Sequence, residues 1–128
     1  MHIMLITHFD LGAVLLRSAQ EIVGKLPIST TLINVDNNTA PEIIRAQALE
    51  LLKKTGLNEP ILILTDLYGS TPHNIAESLE SGHTIKVVSG VNLPMLLRVF
   101  NYHALPFEII VSKAIEGAHN GIITAPAY

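Results

Sequence analysis

The chain has 128 residues, of which 48% are hydrophobic and 15% charged, so we expect one compact domain over residues 1–128 and not a disordered chain. The net charge of −3, without a cluster of Lys, Arg and aromatic residues, argues against nucleic acid as a partner. The sequence has no cysteine, no basic leader and no apolar run near the roughly 20 residues that span a bilayer, so it predicts a cytoplasmic protein without membrane insertion.

Apolar runs of strand length alternate along the chain with segments of helical period. Residues 2–7 predict a buried strand, and residues 30–35 predict a second one. Between them, Asp10 is a candidate N-cap for a helix. The apolar residues predicted to share one face of that helix are Leu11, Val14, Leu15, Ala19, Ile22 and Val23.

Thr39 and Glu42 have capping-box spacing ahead of a second helix, which Gly56 would end. Residues 60–65 form the most apolar run, as expected for a strand that is covered on both faces. The next helix has Pro72 in its first turn and is predicted to end at Gly82.

Residues 83–89 predict a fourth strand, and Asn92 is suited to cap a short helix behind it. A three- and four-residue apolar repeat predicts a helix over 106–119 despite its β-branched content. Residues 122–124 are long enough only for an edge strand, on this sheet or on that of a neighbouring copy. The pattern predicts an α/β fold with a doubly wound, mainly parallel sheet and helices on both faces.

Polar side chains follow each predicted strand where it ends. The carboxyl ends of parallel strands meet at one edge of a sheet, and ligands bind there, above all where the strand order reverses. In the common order 2-1-3-4 the reversal falls between strands 1 and 3. His8, which ends strand 1, would then face Asp66, which follows strand 3.

A carboxylate that accepts a hydrogen bond from one imidazole nitrogen fixes the tautomer and leaves the other nitrogen free to attack. Nearby, Gly69, Ser70 and Thr71 offer hydroxyl groups and free amides at a helix N-terminus, where an anion is held without a lysine. These residue types together indicate a phosphohistidine site, with His8 and Asp66 as catalytic residues and the three loop residues binding phosphate.

Three stretches, "THFD", "TDLYGSTPHNIA" and "SGVNLPMLLRV", resemble the signature segments of the IIA component of the mannose family of the bacterial phosphoenolpyruvate:sugar phosphotransferase system. The resemblance covers essentially the whole chain in the same order. It implies that His8 accepts phosphate on Nε2 from the carrier HPr and passes it to a IIB component for sugar uptake, with Asp66 as the hydrogen-bonding partner. It also implies a homodimer that exchanges the C-terminal edge strand.

The chain departs from this family at three positions. The family usually has glycine where this chain has Phe9, whose bulk narrows access to His8. It commonly has a second glycine at Ser70 and an aromatic residue at His73. His73 is either a second ligand or a surface residue. We place Phe9, His73 and Asn92 at the edge of the site or in partner contacts, although Asn92 alternatively serves only a turn.

Other functions are compatible with the same residues. A regulatory binding module switched by phosphorylation of His8 would have the same fold, and so would the related phosphotransferase subunit of the dihydroxyacetone kinase system. A small-molecule enzyme with a His8–Asp66 acid–base pair is a third alternative. No cofactor is predicted, and His8 and Asp66 alone are too few ligands for a metal site.

Overall fold

The computed structural model describes residues 1–55, 58–79 and 84–126, with strands and helices in strict alternation up to a final pair of helices. The strands are β1 (His2–His8), β2 (Thr30–Val35), β3 (Ile61–Thr65) and β4 (Ile85–Ser89). The helices are α1 (Leu11–Val23), α2 (Pro41–Thr55), α3 (Thr71–Glu77), α4 (Leu93–Asn101) and α5 (Phe107–Asn120).

The four strands are all parallel and lie in the order β2-β1-β3-β4, as the sequence predicts. The register pairs His8 with Val35 on β2, and Ile6 with Thr65 on β3. The ends of β1 and β3 are therefore adjacent at the point where the strand order reverses. This is the edge at which doubly wound folds bind their ligands.

Alternate residues of β1 enter two separate cores, which explains why the strand is apolar throughout. Ile3 and Leu5 pack beneath α1, α4 and α5, whereas Met4 and Ile6 pack beneath α2 and α3. Burial on both faces makes β1 and β3 the rigid centre of the molecule. Helices therefore cover both faces of the sheet, as predicted. Within the described ranges, no helix has both the length and the apolar character needed to cross a membrane.

The predicted apolar face of α1 is only partly correct, because Leu11, Val14 and Ile22 are exposed. The helix instead approaches the sheet through small residues. The Gly12 N–H donates to the buried Thr7 hydroxyl at 2.8 Å, and a Cβ on Gly12 would lie 3.0 Å from that oxygen. Asp10 occupies the N-cap position, but its side chain makes no capping hydrogen bond because its backbone is not extended. That part of the prediction is wrong.

The start of α2 and the end of α3 also differ from the prediction. The capping box at Thr39 is wrong, since α2 begins at Pro41 and the Thr39 N–H instead donates to the Asp36 carboxylate at 2.8 Å. Helix α3 ends early, at Glu77. Three predicted boundaries lie outside the described residues. They are the end of the second helix at Gly56, the end of the third helix at Gly82 and the start of the 83–89 strand.

The C-terminal helix prediction is confirmed, and the Asn92 cap is confirmed by its side-chain oxygen, which accepts from the Met95 N–H at 2.9 Å. The short edge strand does not form in the single chain. Ile122 and Ile123 are 79% and 68% exposed, and the described part of the chain places no strand beside them. A strand of three residues needs a paired neighbour to be stable, and residues 1–55, 58–79 and 84–126 supply none.

Candidate functional site

His8 is the point at which the central strand reaches solvent. The preceding residues of β1 are buried, including the polar Thr7, whereas the His8 side chain is 39% exposed. The strand ends there because the next residue, Phe9, turns away with a φ of +49°. The imidazole is thus fixed at its base by a rigid strand and open at its tip.

Asp66 holds His8 through two hydrogen bonds to one oxygen. Asp66 Oδ2 lies 2.8 Å from His8 Nδ1 and also accepts the His8 backbone N–H at 3.0 Å. The Asp66 side chain is only 8% exposed. A carboxylate can only accept, so Nδ1 carries the ring proton in this contact, and the lone pair of the neutral ring is on Nε2. The predicted juxtaposition of the two residues is present, and Nε2 is the nitrogen left for chemistry.

A cleft of about 230 Å³ opens beside His8. Its lining residues are His8, Val35, Asp36, Asn37, Thr39, Pro41 and Thr71. Hydrogen bonds from the backbone N–H groups of Asn38 and Thr39 lower the pKa of Asp36, so this exposed side chain is a carboxylate at neutral pH. The residues that line the cleft therefore include the imidazole of His8, two threonines and the Asp36 carboxylate.

The three predicted phosphate-binding residues, in the loop between β3 and α3, differ from one another in position and role. Gly69 has a φ of +78°, which glycine adopts without strain. The Ser70 hydroxyl donates to the Leu67 carbonyl at 2.6 Å, so it closes the turn. Only Thr71 shares the cleft with His8. Thr71 is thus the best placed of the three to contact a group on the imidazole.

His73 is buried, so its prediction as a surface residue is wrong. Its Nε2 lies 2.9 Å from the Glu77 carboxylate and its Nδ1 lies 3.4 Å from the Thr65 hydroxyl. The Tyr68 ring packs against the imidazole at a centroid distance of 4.6 Å. Both ring nitrogens therefore have partners, and the ring braces the loop that follows Asp66.

Asn92 has a structural position. Its side-chain oxygen caps α4, and its amide donates to the Ala118 carbonyl of α5 at 3.3 Å. Both ends of the side chain are engaged in holding α4 against α5.

The described residues contain no group of three His, Cys, Asp or Glu side chains close enough to share a metal ion.

Exposed apolar residues beside His8 and Asp66 were missed by the sequence reasoning. Helical period predicts Leu11 and Val14 in the core, and Leu67 and Tyr68 have a place only in a quoted motif, with no predicted role. Tyr68 is 76% exposed and Leu67 is 61% exposed. The available signal was their position, since each follows closely on a residue of the predicted site.

Comparison with known proteins matches residues 2–107 to the family model of the "PTS system fructose IIA component", EIIA-man. No curated protein matches the chain significantly. The EIIA structure from Streptococcus agalactiae shares 27% identity over 96% of this chain and 95% of its own, with a TM-score of 0.86.

The mannose/sorbose-specific IIA subunit from Enterococcus faecalis shares 25% identity over 96% of this chain and 92% of its own, with a TM-score of 0.87. Both likenesses extend over nearly the full length of each chain, so the sheet, its order and the edge that carries His8 have counterparts in these proteins. With the family model matching most of the sequence, the chain belongs to the EIIA-man family of IIA components of the phosphotransferase system.

Proposed function

We propose that this phosphoryl carrier of a sugar phosphotransferase system takes its phosphoryl group on Nε2 of His8 and passes it onward through a phosphohistidine intermediate. The carrier role itself follows from the family. The observation that carries the assignment to His8 is the 2.8 Å contact between Nδ1 and the buried Asp66 carboxylate. It holds the ring in the tautomer whose Nε2 is nucleophilic.

The transfer needs little chemistry beyond positioning and charge stabilisation. A bond forms between Nε2 and phosphorus while the bond between phosphorus and the donor atom breaks, and its electron pair leaves with the donor. The proton on Nδ1 stays in the hydrogen bond to Asp66. The ring gains positive charge, which the carboxylate stabilises, and the reverse sequence delivers the group to the acceptor.

The phosphoryl oxygens lie against the loop formed by Gly69, Ser70 and Thr71. The position of Thr71 supports this arrangement, because Thr71 and His8 both line the cleft of about 230 Å³. Gly69 shapes the turn and Ser70 closes it, so in this proposal Thr71 provides the direct side-chain contact.

Thr71→Ala is expected to slow phosphoryl transfer to His8 by roughly tenfold to a hundredfold, because one hydrogen-bond donor to the transferring group is lost. Thr71→Ser, which restores the hydroxyl, should recover most of the rate in the same single-turnover assay. Thr39→Ala is the matched control, since Thr39 lines the cleft from the β2 side. An equal loss of rate in Thr39→Ala would contradict this arrangement, because the phosphoryl group would then lie on the β2 side of His8 and not specifically against Thr71.

The family relates the protein to HPr and IIB components, and we propose HPr as the donor and a IIB component as the acceptor that serves sugar uptake. We also propose that the cytoplasmic, single-domain chain acts as a homodimer. The exposed Ile122 and Ile123 favour this, because a neighbouring copy could pair with the segment that stays unpaired in the monomer.

The function is tested by incubating the native chain with phosphoenolpyruvate, enzyme I and HPr, and measuring intact mass and peptide masses at neutral or basic pH. A phosphoramidate is acid-labile, so an acid-treated aliquot is the chemical control. We expect one phosphoryl group, on the peptide that contains His8, removable by acid and by an excess of a IIB acceptor. A folded chain that takes no phosphoryl group from an active donor would contradict the proposal.

A further inference from the structure

Phe9 has a backbone conformation that its own side chain disfavours. Its φ of +49° lies in the left-handed region, where glycine is at ease and a bulky residue is uncommon. The conformation is held by the Phe9 N–H, which donates to the Val35 carbonyl at 2.9 Å. The phenyl ring is 54% exposed, so core packing does not explain the residue. Residues with strained backbones of this kind cluster at active sites and ligand-binding segments.

The ring is one of five exposed apolar residues on the two chain segments that follow His8 and Asp66. We call Phe9, Leu11, Val14, Leu67 and Tyr68 the apolar collar. All five side chains are exposed. Three follow His8 along the chain and two follow Asp66, and the contact between those two residues joins both groups. A cluster of exposed apolar side chains around a reactive group indicates a surface that another protein covers.

The charges beside the collar indicate the chemistry of that protein. Asp10 and Asp36 are exposed, and hydrogen bonds from the Asn38 and Thr39 N–H groups lower the pKa of Asp36 and keep it ionised. The four segments at this edge of the sheet contain no Lys or Arg; they are residues 8–12, 36–41, 66–72 and 89–94. A complementary surface has an apolar centre and basic side chains at its rim.

We propose that the apolar collar is the docking surface for the phosphoryl-donor protein, and that Phe9 is its anchor and a determinant of which donor is accepted. This rests on the proposed function, because the donor must approach Nε2 of His8 across the collar. Exposed aromatic side chains next to a reacting centre are the typical energetic anchors of protein interfaces. In this proposal the ring, on the residue next to His8, narrows the approach to the imidazole and favours a donor with a matching apolar recess.

The test compares Phe9→Gly, which suits the backbone and removes the ring, with Phe9→Tyr, which keeps the ring. Ile22→Ala is the matched control, an exposed apolar residue near the far end of α1. Each chain is phosphorylated by phosphorylated HPr and, separately, by phosphoramidate, a small donor that has no docking surface. Rates are measured at several donor concentrations, with the melting temperature and the molar mass from light scattering.

We expect Phe9→Gly to raise the KM for the protein donor by at least about tenfold, as for other interface anchors, with a much smaller change for phosphoramidate. Its melting temperature should be no lower than that of the native chain, because the backbone strain is relieved. Phe9→Tyr should stay within about threefold of the native chain, and Ile22→Ala should match it with both donors.

Three results would overturn the inference alone. They are a Phe9→Gly rate with HPr equal to the native rate, an equal loss with both donors, and a change in molar mass that assigns the collar to contacts between copies of this chain. Phosphorylation of the native chain by phosphoramidate but not by HPr would keep His8 as the phosphoryl acceptor, but it would reject HPr as the proposed donor and the donor surface with it. A native chain that neither donor phosphorylates on His8 would instead overturn the proposed function, and this inference with it.

Discussion

His8→Gln is expected to abolish incorporation of the phosphoryl group, with a rate at least about a thousandfold below that of the native chain. The glutamine amide still reaches toward the Asp66 carboxylate but has no lone pair that is nucleophilic at neutral pH. Because His8 is partly exposed at a strand end, the fold should tolerate the change. The measurement is the intact mass after incubation with phosphoenolpyruvate, enzyme I and HPr at neutral or basic pH.

His119→Gln is the matched control for this experiment. His119 is an exposed histidine on α5, so its loss should leave phosphorylation at the native level. Continued incorporation in His8→Gln, with the added mass on another peptide, would show that a different residue carries the phosphoryl group. The His8 assignment would then be wrong even though the carrier function remained.

Asp66→Asn is expected to slow phosphoryl transfer by roughly a hundredfold to ten-thousandfold, the range found when a histidine loses its orienting or charge-stabilising partner. The asparagine oxygen can still accept from His8, but the negative charge that stabilises the developing imidazolium is gone. The asparagine NH₂ group does not take this place, because the same oxygen also accepts the His8 backbone N–H and a donor there would face another donor. The substitution therefore removes charge from beside the ring without removing Nε2.

Two measurements separate the loss of charge from a change of tautomer and from damage to the fold. Nitrogen chemical shifts of the His8 ring report the tautomer, and urea unfolding reports stability. We expect the native tautomer, with a free energy of unfolding lowered by at most about 1–3 kcal/mol, because the NH₂ group takes the buried Oδ1 position, for which the described residues supply no hydrogen-bond partner. A full native rate in Asp66→Asn would mean that Asp66 merely shapes the strand end.

The centre of the fold and the main contact of the site could be predicted from the sequence. Apolar runs at residues 2–7 and 60–65 identified the two central strands, because only strands buried on both faces are apolar throughout. The strand order then brought His8 next to Asp66, and the structure has that contact. Strand ends follow from topology, so residues at them are located without any knowledge of side-chain packing.

Features that depend on close packing were not predictable in this way. Helical period assigned Leu11 and Val14 to the core, but the approach of Gly12 to Thr7 sets how α1 sits and leaves both exposed. His73 is buried in contact with Thr65 and Tyr68, and its i,i+4 spacing to Glu77 on α3 does not by itself reveal that burial. The predicted edge strand at residues 122–124 has no pairing strand among the described residues, so the sequence pattern alone did not decide whether it forms.

One side of the His8 ring is closed by the buried Asp66, and this has a kinetic consequence under the proposed function. Donor and acceptor must both reach the same nitrogen from the same side. They cannot be bound together, so the carrier alternates between them in a ping-pong sequence. Each partner can also bind the form of the carrier that reacts with the other partner, and it then competes with that partner for the carrier. A large excess of unphosphorylated donor should therefore inhibit delivery to the acceptor, and the flux should be greatest when neither partner is held for long.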